Sequence, residues 1–272
     1  MRDLIASVAR DLDVPAHLVA DALDYLTPQT EPAVAAQVTT LETAIGTTIT
    51  VPWPNDDERL QLLALLGTVP AARAWFAAKG IGDTIARASL ADLTPKLRDY
   101  GIAATGIDWL AKVVQCGVFA LGRLQFEPAA PSAAGPAWNT HIPESGALDP
   151  AACDESFARA VGFFAARGDS TTRAFVCESW LLDDQLTEYL PTESNILRFQ
   201  RRFTLVDDET TDAPSNPDDA THGDHAVAKF VFRRPLAELP TITPVSTLER
   251  AALAHLAAGR HWRERTGVLR LP

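Results

Sequence analysis

Cysteine is scarce. The three present, Cys116, Cys153 and Cys177, are widely separated and odd in number, which excludes a disulfide framework and fits a reducing compartment. Cations are short too: 24 Lys and Arg against 35 Asp and Glu leave a net charge of −11, which argues against nucleic acid, whose phosphates are held by clustered Lys and Arg. No stretch reaches the roughly 18 uninterrupted apolar residues of a membrane span. The N-terminus, MRDLIASVARDLDVPAHLVADAL, is broken by charges every few residues and is not a signal peptide. The cytoplasm is therefore the expected location. A P-loop and zinc-type Cys/His spacing are also missing. Gly80-Ile81-Gly82 follows a helix-like run and lacks the third glycine of a dinucleotide fingerprint. His255 and His261 are six apart, off a shared helical face, so no metal site is expected. No repeat of fixed period is visible.

What remains is an ordinary folding composition, 47% hydrophobic and 22% charged. The first half reads as successive helices. Segments 2–12, 15–26 and 30–45 place apolar residues three and four apart amid abundant alanine. Pro15 suits a first turn and Pro28 follows a helix end. Pro52 and Pro54 keep TTITVPWPND extended. Asn55 or Asp56 can cap the next helix, whose buried stripe is LQLLALLG. A shorter pair follows around AARAWFAAKG and GDTIARASLADLTPKLRDYG, closed by Gly80 and Gly101.

Between residues 105 and 120 the period changes. GVFALGRLQFEP reads as a strand, EPAAPSAAGP as a loop and AWNTHIP as a strand. DPAACDESFARAVGFFAARG reads as a helix with Asp149 as its cap and Pro150 in its first turn. After it come TRAFVCESWLL (strand), DDQLTEYLP (short helix), two long strands NILRFQRRFTLV and HAVAKFVFRRPL, a helix capped by Ser246, and a last strand GVLRLP. Residues 207–224 between the two long strands carry seven acids and no Lys or Arg. Such a run is a solvated, flexible loop, or alternatively an acidic lure for a cationic substrate. The expected architecture is α+β, with an all-helical domain over 1–112 and a mixed α/β domain over 113–272.

Two groups carry chemistry by residue type alone. His141 and Glu144 stand at the end of the expected central strand in AWNTHIPE; histidine titrates near neutral pH and is the commonest catalytic base, although beside Trp138 it also fits a structural hydrogen bond, and Glu144 also fits a turn. Cys177 shares a strand face with Ser179, and a thiol near His141 would define a Cys–His hydrolase or ping-pong transferase; the alternative is a small buried hydrophobe.

The blocks GRLQFE, HIPESG, SWLLDDQL and SNILRFQRRF, with STLERAALAHLAAGRHWRERTG, together resemble a bacterial, actinobacterial-type acyltransferase family in which a helical N-acyltransferase N-terminal domain precedes a GNAT-like C-terminal domain. The resemblance covers nearly the whole chain. It implies a central, mostly antiparallel sheet, with the acyl-CoA pyrophosphate on a loop and helix N-terminus after a central strand. The matching segment here is WNTHIP, ESGALDP, AACDESFARA. The usual Arg/Gln-x-x-Gly-x-Gly/Ala signature is absent from it. Only Gly146 supplies backbone freedom, while Glu144, Asp149, Asp154 and Glu155 bring negative charge. The donor is thus acyl-CoA or a carrier-bound thioester. By the same resemblance Tyr189 occupies the place of the acid that protonates the thiolate; its other reading is core packing. Ser179, Ser194 and Asn195 become contacts to the donor, the last two reading equally as a turn or cap. Arg201, Arg202 and Arg260, within a wider set of Arg198, Arg233, Arg234, Arg263 and Arg265, become phosphate ligands, or ion pairs with acids. The implied activity is direct acyl transfer to a small amine or hydroxyl acceptor. The alternative is a catalytically silent GNAT-like scaffold that binds a ligand or partner protein.

Overall fold

The structure, a computed structural model, describes residues 1–132, 134–206 and 220–272. Its contacts divide the chain into two compact units, Met1–Ala120 and Leu121–Pro272. The first contains α1 (Arg2–Asp11), α2 (Ala16–Tyr25), α3 (Glu31–Thr43), α4 (Glu58–Ala78), α5 (Asp83–Leu90), α6 (Leu93–Asp99), α7 (Gly101–Thr105), α8 (Ile107–Val114) and the two-residue strand β1 (Phe119–Ala120). Helix α4 is its core. Every residue from Leu60 to Val69 is buried, and α1, α2, α3 and α8 pack around it. By length and composition α4 could cross a membrane, but most of it is buried inside this unit. Gly67 lets α3 come close, since a Cβ there would lie 2.7 Å from a Val38 methyl.

The helical expectation is met here, with local corrections. The cap of α4 is Asp57, whose side chain accepts from the Arg59 amide, rather than Asn55 or Asp56. The helix also runs on through Pro70, which forgoes one backbone donor, so AARAWFAAKG is its second half rather than a separate helix. GDTIARASLADLTPKLRDYG makes two helices, α5 and α6. Gly80 and Gly101 follow α4 and α6 with φ of +64° and +70°, values that glycine adopts without a Cβ clash.

The second unit is built on β2 (Gln125–Phe126), β3 (Trp138–His141), β4 (Ala174–Ser179), β5 (Thr204–Leu205) and β6 (Arg265–Arg270), with helices α9 (Pro150–Ala165), α10 (Asn195–Gln200), α11 (His222–Val227) and α12 (Thr247–Ala257). The strands lie in the order β2-β3-β4-β6-β5. Pairs β2–β3, β4–β6 and β5–β6 are antiparallel, while β3–β4 is parallel because α9 crosses between them. The sheet is mixed. Helix α9 starts at Asp149, whose carboxylate accepts from the Ala152 amide, and Pro150 occupies its first turn. It covers one sheet face with aromatics: Phe164 stacked on Trp138 at 5.3 Å between centroids, and Phe157 edge-on to Phe175 at 4.9 Å.

Three expected strands are corrected. GVFALGRLQFEP is broken by a turn at Gly122 (φ +99°), where a Cβ would lie 2.8 Å from Ser156 Oγ. NILRFQ is α10, capped by Ser194, and only Thr204–Leu205 of the long strand remains. HAVAKFVF is α11, continued by a π-helical turn over Ala228–Phe232. Val227 and Val231, and likewise Ala228 and Phe232, are four apart, so this run satisfies a helical period as well as alternation. Of the acidic run 207–224, residues 207–219 lie outside the described residues. Its end is not a loop, because Thr221 and Asp224 form the capping box of α11.

Helices α10–α12 enclose a second core of Trp180, Leu186, Leu190, Leu197, Ala226, Val227, Ala252 and Trp262. Buried carboxylates anchor the segment His261–Arg263 within it. Asp224 accepts from His261 Nδ1 at 2.6 Å and from the Trp262 amide at 2.8 Å. Asp183, fully buried, accepts from the Arg263 amide at 2.7 Å and its guanidinium at 3.1 Å. The fit leaves no room at Gly223, where a Cβ would lie 2.3 Å from the Trp262 carbonyl oxygen.

Candidate active site

The two central strands begin together and then part. Trp138 pairs with Phe175 and Asn139 with Val176. Beyond that point Thr140 and His141 pair outward with Phe126 and Gln125, while Cys177 to Ser179 pair outward with Gly267 to Arg265. The facing edges of Thr140–His141 and Cys177–Ser179 therefore carry backbone groups not spent on each other, an arrangement that can accept an extended, amide-bearing chain. At the parting Thr140 is 1% exposed, and its hydroxyl has no hydrogen-bond partner among the described residues.

Alternation places the side chains. Trp138 and Phe175 are register partners with ring centroids 4.9 Å apart, so they share the α9 face, and Thr140 and Cys177 share it two residues on. Asn139 and His141 lie on the opposite face. There His141 Nε2 is 2.6 Å from Glu127 Oε1, which Asn139 Nδ2 also approaches at 3.4 Å. A carboxylate only accepts, so His141 donates through Nε2. The dyad is half-buried. Glu127 was not singled out in the sequence. The signal was its place in GRLQFE, but its meeting with His141 depends on the β2–β3 register.

Cys177 is set apart from His141. It lies on the face away from His141, is 1% exposed, and burial pushes its thiol up to about 12. Ser179 caps the 3₁₀ turn Trp180–Leu182 by accepting from the Leu181 amide, and Ser194 caps α10 ahead of Asn195. Tyr189 ends a second 3₁₀ turn (Asp184–Glu188) and packs against Trp262, its hydroxyl 3.1 Å from His255 Nδ1. His255 Nε2 meets the His261 carbonyl at 3.1 Å, so Nε2 is the donor and Tyr189 donates to Nδ1.

The arginines are largely occupied. Arg260 grips Glu188 with two bonds, at 2.5 and 2.7 Å, and Arg201 donates to the Thr192 carbonyl. Arg202 donates to Asp154 and to the Pro150 carbonyl. Glu144 pairs with Arg233 at 3.0 Å. The loop bearing Gly146 (φ +98°) is held by a residue the sequence did not flag. Arg123 donates to the carbonyls of Pro143, Gly146 and Ala147 at 2.9, 2.7 and 2.8 Å.

Burial of His255 sets an acid limit on stability. Desolvation, its largest influence, lowers its pKa from the usual 6.5, with Arg260 acting in the same direction, and the His261 carbonyl, Asp183 and Glu188 opposing. The unfolded state then binds the proton more readily. Stability is accordingly full above pH 6.5 and falls as pH drops through the unfolded value toward the depressed folded one. Urea midpoints between pH 8 and 5 are expected to show this loss, and His255→Gln to flatten it.

A parallel pair that parts within a mixed sheet, with a helix crossing between its strands, is the arrangement of a GNAT-like fold. The chain belongs to the family with an N-acyltransferase N-terminal domain, matched over residues 3–111, and a GNAT-like C-terminal domain, matched over 118–269. It is similar to solved acyltransferases in complex with decanoyl-CoA and teicoplanin (TM-score 0.81), with decanoyl-CoA (0.81), and with CoA and 10C-teicoplanin (0.80). Each is 32% identical and the alignment covers 98% of this chain and 87% of that one. No curated protein matches.

Proposed function

We propose that this protein transfers an acyl group from acyl-CoA directly to an amine or hydroxyl of a small acceptor. The observation that carries this is the parting of β3 from β4 beside the His141–Glu127 dyad, supported by the CoA thioesters bound to relatives of 32% identity. The pantetheine arm, with its two amides, fits an open ladder between the strands. His141 Nδ1 takes the proton as the acceptor attacks the thioester carbonyl, and Glu127 stabilises the imidazolium. The departing thiolate needs one proton, which balances the one removed. The teicoplanin complexes favour an acceptor of the glycopeptide class. The cytoplasm fits this reading, since all three thiols are free.

Octanoyl- and decanoyl-CoA are expected to raise the melting temperature, because a ligand that binds only the folded state stabilises it by about 2.7 kcal/mol at a hundred times its Kd. With teicoplanin present, free thiol is expected to appear. No shift with either thioester removes the donor reading. A shift without turnover on any amine favours the silent scaffold, a reading supported by the engagement of the α9 N-terminus with its own Asp149.

A further inference from the structure

The loop and helix start that the resemblance assigns to the coenzyme's pyrophosphate lack its glycine signature and carry four acids, Glu144, Asp149, Asp154 and Glu155. The charges around them resolve differently in three dimensions. Glu144 is paired with Arg233, Asp154 with Arg202 and Glu155 with Arg159. Asp149 is spent on the Ala152 amide. Arg123 is the exception. The hydrogen bonds of its guanidinium all go to neutral carbonyls, those of Pro143, Gly146 and Ala147, and no carboxylate pairs with it among the described residues. Burial lowers its pKa from the usual arginine range, but a guanidinium stays charged in a protein.

Those three bonds fix the direction of the loop's amides. In a trans peptide the C=O and the following N–H point opposite ways, and no cis bond occurs here. Drawing the Gly146 and Ala147 carbonyls toward Arg123 turns the Ala147 and Leu148 amides away from it. Neither amide donates to another group among the described residues. Two successive amides turned to one side, backed by a guanidinium with no carboxylate partner among the described residues, are donors of the kind that hold a diphosphate.

We propose that Arg123 is the positioning residue for the donor's diphosphate. It holds Pro143–Ala147 with carbonyls inward and amides outward, the task that the missing glycines perform elsewhere, and its charge adds to the field there. This rests on acyl-CoA being the donor.

The test compares octanoyl-CoA with octanoyl-pantetheine, which has the same thioester and arm but no phosphate. Arg123→Met is expected to raise KM for octanoyl-CoA about tenfold or more with kcat within about threefold, and to leave kcat/KM for octanoyl-pantetheine within about twofold. Arg123→Lys keeps the charge without the three-way geometry. It is expected to fall between the two, and it carries the same comparison if Arg123→Met does not fold. Equal losses on both donors would mean a structural role only, and no loss on either removes the proposal as well. If the wild type neither binds nor turns over octanoyl-CoA, the donor reading has failed. If it does both and the variants keep its preference for the CoA thioester, Arg123 alone has been misassigned.

Discussion

His141→Gln is expected to lower kcat about 10²- to 10⁴-fold while the protein stays folded and its melting temperature still rises with octanoyl-CoA. Glutamine keeps a polar side chain on the open sheet face but cannot take up a proton. Glu127→Gln is expected to cost less, because the imidazole remains and loses only the carboxylate that fixes its tautomer and offsets its charge. Initial rates with a common acceptor, alongside thermal melts with and without donor, separate chemistry from binding. If His141→Gln turns over at the wild-type rate, the dyad is a structural hydrogen bond and the base lies elsewhere.

The second large effect is on stability. Asp224→Ala is expected to destabilise the protein by about 3–5 kcal/mol, since each buried donor left without an acceptor costs about 1–3 kcal/mol. The carboxylate is 1% exposed and serves His261, the Trp262 amide and the Thr221 amide together, so alanine leaves buried donors unmet. Urea denaturation of the variant measures this directly. A change below about 1 kcal/mol would mean that water replaces the carboxylate. Asp224 closes an acidic run that reads as solvated from sequence alone, yet its own carboxylate is buried.

The contrast shows what composition can and cannot convey. The helices of the first half were legible because period, prolines and glycines agree there, and α9 and α12 were legible from Asp149-Pro150 and Ser246. NILRFQ and HAVAKFVF were misread because a six- to eight-residue apolar run satisfies periods of 2 and 3.6 almost equally, and only packing against Trp180 and Trp262 decides. His141 was legible as a titratable residue at a strand end. Glu127 and Arg123 were not, because both act through contacts formed by the fold: one across a strand register, the other around a loop. Cys177 could be read as a thiol near His141 or as a small buried hydrophobe, and its burial and sheet face support the second.

The strand order has a consequence for synthesis. β6 is the last of these strands to be made, yet it lies between β4 and β5 and supplies β4 with its longest ladder, from Ala174–Arg270 to Ser179–Arg265. A nascent chain that has emerged only as far as α12 therefore holds β4 with an open edge, ready to pair with any other extended segment. At roughly 5–20 residues per second, that edge waits seconds for a partner nearly ninety residues downstream. Closure of this sheet thus waits for synthesis through Arg270, and until then β4 keeps an edge open to other extended segments.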